Sequence, residues 1–387
     1  MTAFTALLPA AALMATAALS TAPAGETAAA APLAPYVVVL KDSTRAPAAA
    51  RALAAEAADS GDEVRAVYDT ALNGFALRTT ASRAAALAAD PRVASVEPDA
   101  LFHVDDTQPQ APWTLDRIDQ SDLPLDASYT YGTKAAGVTA YVLDTGINTA
   151  HQEFGGRARF GHNAVRGETA TDCNGHGSHV AGTIGGATYG VAKGVSLVAV
   201  KVADCRGDGR LSDMLRGLDW TVRDAVRGRT PAVANMSMGG ARSHALDAAI
   251  VRAVAAGVTF TVAAGNSAED ACDGSPSRVP QAVTVGATDA GDRRAAFSGH
   301  GRCVDLFAPG VSVVSAWKGS TTALARATGT SMAAPHVAGV AALILAGGTA
   351  KTPEEVTSAL LRDAGRDRIT GLPAGTANLL LHTPIDR

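Results

Sequence analysis

The chain has 387 residues, more than one domain usually needs, and 47% of them are hydrophobic, so it can bury a large core. A formal net charge of −4 with no long run of one sign argues against a nucleic-acid binder. Four cysteines, an even number, allow three disulfide pairings.

Residues 1–24 carry no charged side chain and are almost wholly apolar from Ala3 to Leu19, ending in the small-residue site Ala22-Pro23-Ala24. This reads as a secretory signal peptide, and the protein is expected to be extracellular. A retained membrane anchor fits less well, given Pro9 and the alanine-rich character. No Lys or Arg precedes the apolar run, which departs from the usual signal pattern and places the true start upstream of Met1 as an alternative. No other segment reads as long and apolar enough to span a bilayer, so no membrane contact is expected after signal removal.

Residues 25–34, rich in Ala and Pro, read as a linker. Residues 35–104 then give strand 36–40, an alanine-rich helix over 45–58, and strands 64–68 and 74–77 around Asn73-Gly74. A second helix over 82–89 and a strand from 93 complete the unit. The order βαββαβ is that of a ferredoxin-like unit.

The remainder, residues 105–387, alternates strands with helices. Strands are predicted at 138–143, 196–202, 232–237 and 258–263. Leu211, Met214, Leu215, Leu218 and Val222 keep helical spacing, and a further helix covers 243–256. Such alternation predicts an α/β fold, a parallel sheet with helices on both faces. In these sheets the site lies beyond the carboxyl ends of the strands. Asp144, Ser237-Met238-Gly239 and Asn266 all fall there.

Three segments carry chemistry. Asp144-Thr145-Gly146 ends the strand 138–143. Asn174-Gly175-His176-Gly177-Ser178-His179 opens a small-residue helix. Gly329-Thr330-Ser331-Met332-Ala333-Ala334-Pro335-His336 leads into an apolar run that reads as a buried helix. Pro335 is expected in its first turn, where a missing N–H matters little. A serine at that helix start is either an N-cap or a nucleophile whose own N–H faces an oxyanion. The chain order Asp, His, Ser is that of subtilisin, one of three unrelated orders.

On these three segments the chain resembles the subtilisin-like serine proteases. It is closest to the proteinase K branch and to secreted aqualysin-like bacterial enzymes, over about residues 112–380. The resemblance implies a secreted serine endopeptidase with Ser331 as nucleophile, His176 as base and Asp144 as its orienting partner. His179 is the rival base one turn away, and the resemblance selects His176; His336 reads as structural. Ala263-Ala264-Gly265-Asn266 matches the family's oxyanion segment, with the Asn266 amide joining the Ser331 N–H. Gly207, Asp208 and Gly209 on one side and Ser237, Met238 and Gly239 on the other match the edges along which a peptide lies as an added strand. Ser237, Gly239, Ala264 and Gly265 are expected to wall the pocket for the residue before the cut. Its small walls suit apolar or aromatic side chains, and no acid is evident in it.

The resemblance also implies that residues 35–104 are an inhibitory propeptide and folding aid. Its tail Ala100-Leu101-Phe102-His103-Val104 would lie in the cleft and be cut by the enzyme itself between His103 and Thr107. The implied disulfides are Cys173–Cys205 and Cys272–Cys303, each closing a loop of about 30 residues, for which chain entropy gives roughly 3–4 kcal/mol. Asp305, with the Pro280 and Ala282 carbonyls, matches a structural calcium site, and oxygen ligands suit that ion. No organic cofactor is implied. Protein and peptide substrates, a monomer, and no domain beyond the tail at Leu380 are the remaining expectations. Asp208 is a candidate to face the fourth residue before the cut and to favour a basic side chain there.

Two other classes fit less well. An α/β-hydrolase would show G-x-S-x-G with its acid after the serine, whereas here Ala333 replaces the second glycine and Asp144 comes first. A binding protein derived from a dead protease would lack a triad or oxyanion residue, and none is missing.

Overall fold

The computed structural model describes residues 31–41, 47–100 and 106–383. The predicted signal peptide, most of the linker, residues 101–104 of the proposed propeptide tail and residue 105 lie outside these. The chain divides into two compact units, through Phe102 and from His103.

In the first unit, β1 (Ala34–Leu40), α1 (Pro47–Asp59), β2 (Glu63–Tyr68), β3 (Gly74–Thr79), α2 (Ala81–Ala88) and β4 (Val93–Pro98) follow in the predicted order. They form an antiparallel sheet β2-β3-β1-β4. Val38, Leu53, Phe75, Leu77 and Val93 meet in its core. Gly74 has a steric reason: a Cβ there would stand 2.1 Å from the Val38 carbonyl oxygen. Thr80 caps α2 by accepting the Arg83 N–H.

The second unit begins with β5 (Asp106–Pro109), the short α3 (Trp113–Asp116), β6 (Ser128–Tyr131), β7 (Thr139–Asp144), β8 (Ala158–Asn163) and α4 (His176–Gly185). There follow β9 (Ser196–Lys201), α5 (Leu211–Gly228), β10 (Ala232–Met236), β11 (Gly240–Ala241), α6 (His244–Ala255) and β12 (Val258–Ala263). The unit continues with β13 (Gly274–Ser275), β14 (Val283–Thr288), β15 (Leu306–Pro309), β16 (Val313–Ala316) and β17 (Leu324–Ala327). It closes with α7 (Thr330–Gly347), α8 (Pro353–Asp363), β18 (Gly365–Arg366) and β19 (Leu379–Leu380).

Nine strands form one sheet, ordered β18-β19-β15-β14-β12-β10-β7-β9-β8, parallel throughout except for the β18/β19 pair. Successive residues of a strand feed opposite faces. Val142 packs with α4 and α7 on one face. Tyr141 and Leu143 pack with α5 and α6 on the other. Both faces are therefore covered, which is why these strands read as continuous apolar runs.

One expectation needs correction. Besides the N-terminal run, the 18-residue helix α7 is also long and apolar enough to cross a membrane. It is instead the core helix of the second unit, packed on β10, β12, β14 and β15 and buried along nearly its whole length.

Candidate active site

The adjacent strands β7, β10 and β12 end at Asp144, Met236 and Ala263. The next residues of each chain segment build the site. Asp144 is fully buried. Its Oδ1 accepts the Thr145 N–H at 2.8 Å and lies 2.8 Å from His176 Nδ1. A carboxylate there keeps the proton on Nδ1 and leaves Nε2 as an acceptor. His176 is the first residue of α4. Gly177 lets the helix start this close, because a Cβ there would stand 2.1 Å from the Gly146 carbonyl oxygen. Burial of the ring works to lower its pKa, but the Asp144 charge and hydrogen bond, with Asp172 adding to them, move it above the ordinary value.

Ser331 is the second residue of α7, where no intrahelical acceptor awaits its N–H. Ser331 and Ser237 bond reciprocally. Ser331 Oγ donates to the Ser237 carbonyl at 2.9 Å, and Ser237 Oγ donates to the Ser331 carbonyl at 2.8 Å. The hydroxyl thus rests on Ser237 rather than on His176. Pro335 is the sixth residue of the helix and not in its first turn as expected. A normal residue there would donate to Ser331, four positions back. Ser237 Oγ takes that place. Behind it, Asn235 Nδ2 donates to Ser237 Oγ at 2.9 Å and Thr261 Oγ1 donates to Asn235 Oδ1 at 2.9 Å. Neither residue stood out in the sequence.

Asn266 Oδ1 accepts the Thr330 N–H at 2.8 Å and the Thr330 hydroxyl at 2.9 Å. Two donors on that oxygen orient the amide and leave Nδ2 as its donating end. Beside Ser331 opens a cavity of about 260 Å³. Met238, Gly239, Ala264, Gly265 and Asn266 line it, as do Thr330 and Ser331. Contrary to the expectation of no acid, Glu269 and Asp270 also line it. The loop after β12 turns back because the Ala268 N–H bonds to Phe297, the Ala271 N–H bonds to His300, and Cys272 is tied to Cys303.

The other flanking segment lies differently. Gly209 adjoins Met238, whose sulfur is 3.6 Å from where a Gly209 Cβ would stand. Asp208 and Gly209, however, line a separate depression of about 660 Å³ with Arg166, Arg210 and Asp213. The Asp204 carboxylate accepts the Arg206 and Asp208 amides and holds the turn that contains Gly207. Arg206 Nε is 3.7 Å from Asp208 Oδ2, so the charge proposed for substrate has a counter-charge in its own loop.

His179 and His336 are fully buried. His179 Nε2 lies 3.1 Å from the Val313 carbonyl and His336 Nδ1 lies 2.8 Å from that of Met332. Burial lowers both to about 4. The disulfides join Cys173 to Cys205 and Cys272 to Cys303, the pairing the resemblance implies. Glu168 adjoins the first bridge, but both sulfurs there are bonded and offer no thiolate. Asp305 Oδ2 accepts the Thr284 N–H at 2.7 Å. Burial pushes this carboxyl up to about 6, with that one N–H opposing it. A buried carboxylate compensated by a single N–H, on the backbone of Thr284 two residues after Ala282, fits a hard dication.

Residues 135–379 match the Subtilase family. The chain belongs to this family. Residues 35–105 of the subtilase match Peptidase inhibitor I9. It is 53% identical over 325 residues to an extracellular serine proteinase of Thermus sp. (strain Rt41A), covering 84% of this chain and 78% of that one. It is 46% identical over 332 residues to alkaline serine exoprotease A of Vibrio alginolyticus, covering 84% of this chain and only 61% of that protein. Among solved structures, the crystal structure of a cold adapted subtilisin-like serine proteinase superposes with a TM-score of 0.68 at 49% identity, covering 72% of this chain and all of that one. This subtilase is thus a subtilisin-like serine proteinase preceded by an inhibitor-type domain.

Proposed function

We propose that this subtilase is a secreted endopeptidase that cuts peptide bonds through an acyl-enzyme on Ser331, with His176 as general base and acid and Asp144 as its orienting carboxylate. The observation that carries the reading is the 2.8 Å Asp144–His176 contact on the strand ends that also hold Ser237 and Asn266 against α7. Ser331 Oγ leaves the Ser237 carbonyl, gives its proton to His176 Nε2 and bonds the scissile carbonyl carbon. Asn266 Nδ2 and the Ser331 N–H receive the oxyanion. The C–N bond then breaks and the imidazolium protonates the leaving amine. Water repeats the sequence on the ester, with His176 again taking the proton.

The small walls at Gly239, Ala264 and Gly265 favour an apolar or aromatic residue before the cut. The segments around Met238 and Gly209 hold the substrate backbone as an added strand. Residues 35–104 act as inhibitor and folding aid, which the inhibitor-family match supports. Residues 1–24 are the leader, 25–34 a linker, and 105–387 the enzyme, which works as a monomer. The name of the Thermus relative supports secretion. Asp305 and the carbonyls of Pro280 and Ala282 hold a structural calcium ion. It stabilises the loop and takes no part in the chemistry.

The test is casein clearing by the purified enzyme, with a serine-directed phosphonylating inhibitor as the block. Ser331→Ala, made in a protease-deficient host, is expected to be inactive and to keep its propeptide joined. Turnover by that variant overturns the nucleophile; a mature N-terminus near Thr107 in it overturns self-processing.

A further inference from the structure

Asp172, four residues before His176, is buried and belongs to neither the proposed triad nor the oxyanion site. Its carboxylate accepts five hydrogen bonds. Oδ1 takes the Thr145 hydroxyl at 2.9 Å, the Asn174 N–H at 3.0 Å and the Gly175 N–H at 2.8 Å. Oδ2 takes the Ser178 N–H at 2.8 Å and the Ser178 hydroxyl at 2.6 Å. Two of its partners extend the network. Thr145 Oγ1 accepts the Gly177 N–H at 3.0 Å, and Ser178 Oγ accepts the Asn148 N–H at 2.8 Å.

These bonds join two segments that hold one member each of the proposed triad. Thr145 and Asn148 lie on the turn that follows Asp144. Asn174, Gly175, Gly177 and Ser178 bracket His176. N–H groups at a helix start also favour a negative charge. The charge is met by these donors and not by an ion pair among the described residues. The charged and titratable groups around His176 are Asp144 at the end of β7, Asp172 before the helix and His179 one turn along it. Behind the loop, Lys201 Nζ donates to the Thr145 carbonyl at 2.8 Å and pairs with Glu168 at 3.2 Å, while Lys318 Nζ donates to the Cys173 carbonyl.

We propose that Asp172 is a positioning residue for peptide hydrolysis: its carboxylate locks the start of α4 to the turn after β7 and so holds His176 on Asp144. Its negative charge also favours the imidazolium. This rests on the triad reading. Asp172→Asn keeps the shape but sets an amide N–H against donors and removes the charge.

The experiment measures kcat and KM of the processed enzyme on a tetrapeptide anilide from pH 5 to 10, for wild type, Asp172→Asn and Thr145→Val. In Asp172→Asn, kcat is expected to fall about tenfold or more, with KM within about twofold and the acid limb of kcat/KM moved to lower pH by about half a unit. Thr145→Val keeps the charge and the Ser178 bonds but cuts the Thr145 tie to the turn, leaving the Asn148–Ser178 tie in place. It is expected to lose kcat several-fold with the limb unmoved. A wild-type kcat and limb in Asp172→Asn, or a loss carried by KM alone, overturns the proposal. If Asp172→Asn fails to fold, a wild-type kcat in Thr145→Val overturns it instead. Ser331→Ala and His176→Ala run beside these: turnover by either sinks the triad reading itself, whatever Asp172 does.

Discussion

Ser237 Oγ donates to the Ser331 carbonyl at 2.8 Å, the acceptor that Pro335 leaves without a helical amide. The residue that closes this gap also presents its own carbonyl to the Ser331 hydroxyl. Ser237→Ala leaves the part-buried Ser331 carbonyl and the buried Asn235 amide without this partner, and the expected loss is about 1–3 kcal/mol of unfolding free energy. Pro335→Ala in that background restores the N–H and is expected to recover part of it. Denaturant unfolding of the four variants, all carrying Ser331→Ala to prevent self-digestion, measures the coupling. Strictly additive effects would mean that the two residues do not share this carbonyl.

Thr330 holds Asn266 through its amide oxygen, which leaves the nitrogen as the group proposed to meet the oxyanion. Asn266→Ala is expected to lower kcat by about 100- to 1000-fold with little change in KM; that size is the one known for subtilisin itself, a member of this family, and does not come from this chain. Steady-state kinetics on one anilide substrate decides it. A loss confined to KM would assign Asn266 to substrate binding instead.

His179 and His336 are buried and hold their protons off until about pH 4. In the unfolded chain a histidine protonates near 6.5. Between these values the unfolded state binds more protons, so each ring removes stability as pH falls. Asp119 and Asp305, pushed by burial up to about 7 and about 6, act in the opposite direction over part of that range. The histidine contribution is therefore read as a difference. From pH 7 to 4, wild type is expected to lose on the order of 3 kcal/mol relative to His336→Gln. Equal pH slopes for the two proteins would refute it.

A chelator is expected to speed thermal inactivation of wild type, and added calcium to reverse the effect. Asp305→Asn should inactivate at the chelated rate with or without the ion, since a neutral amide removes the one carboxylate proposed as ligand. Inactivation rates with and without chelator are sufficient. A variant that still responds to chelator has its ion elsewhere.

Asp208 was expected to favour Arg or Lys at the fourth position before the cut. With Arg206 at 3.7 Å and Asp208 80% exposed, that charge is both offset and screened. The expected preference for Arg over Glu is now below about twofold at low salt. Two fluorogenic tetrapeptides differing at that position measure it. A several-fold Arg preference that vanishes in Asp208→Ser would restore Asp208 to the substrate edge.

The segments of Asp144, His176 and Ser331 were legible because each is a local event, a strand end or a small-residue helix start with its own wording. The βαββαβ order of the first unit was legible for the same reason, since hydrophobic period changes at each boundary. What escaped was contact between distant positions. Ser237 meets Ser331 across 94 residues, and Asp172 meets Thr145 across 27. No periodicity records such a partner. Glu269 and Asp270 were missed because a disulfide and two backbone bonds, not local pattern, fold their loop onto the pocket. Pro335 was placed a turn too early because a proline deep in a helix is tolerated only where another group serves the freed carbonyl.

Helix α7 carries Ser331, the proposed nucleophile, as its second residue and is enclosed by the sheet and by α4 along almost all its length. The amides of its buried middle turns are expected to exchange with solvent among the slowest of the second unit, unlike that of Ser331, which faces the cavity. Ser331 is therefore anchored to turns that are expected to be among the last of the second unit to open. Heat or denaturant that disturbs peripheral loops is expected to leave Ser331, the proposed nucleophile, in register until those turns open.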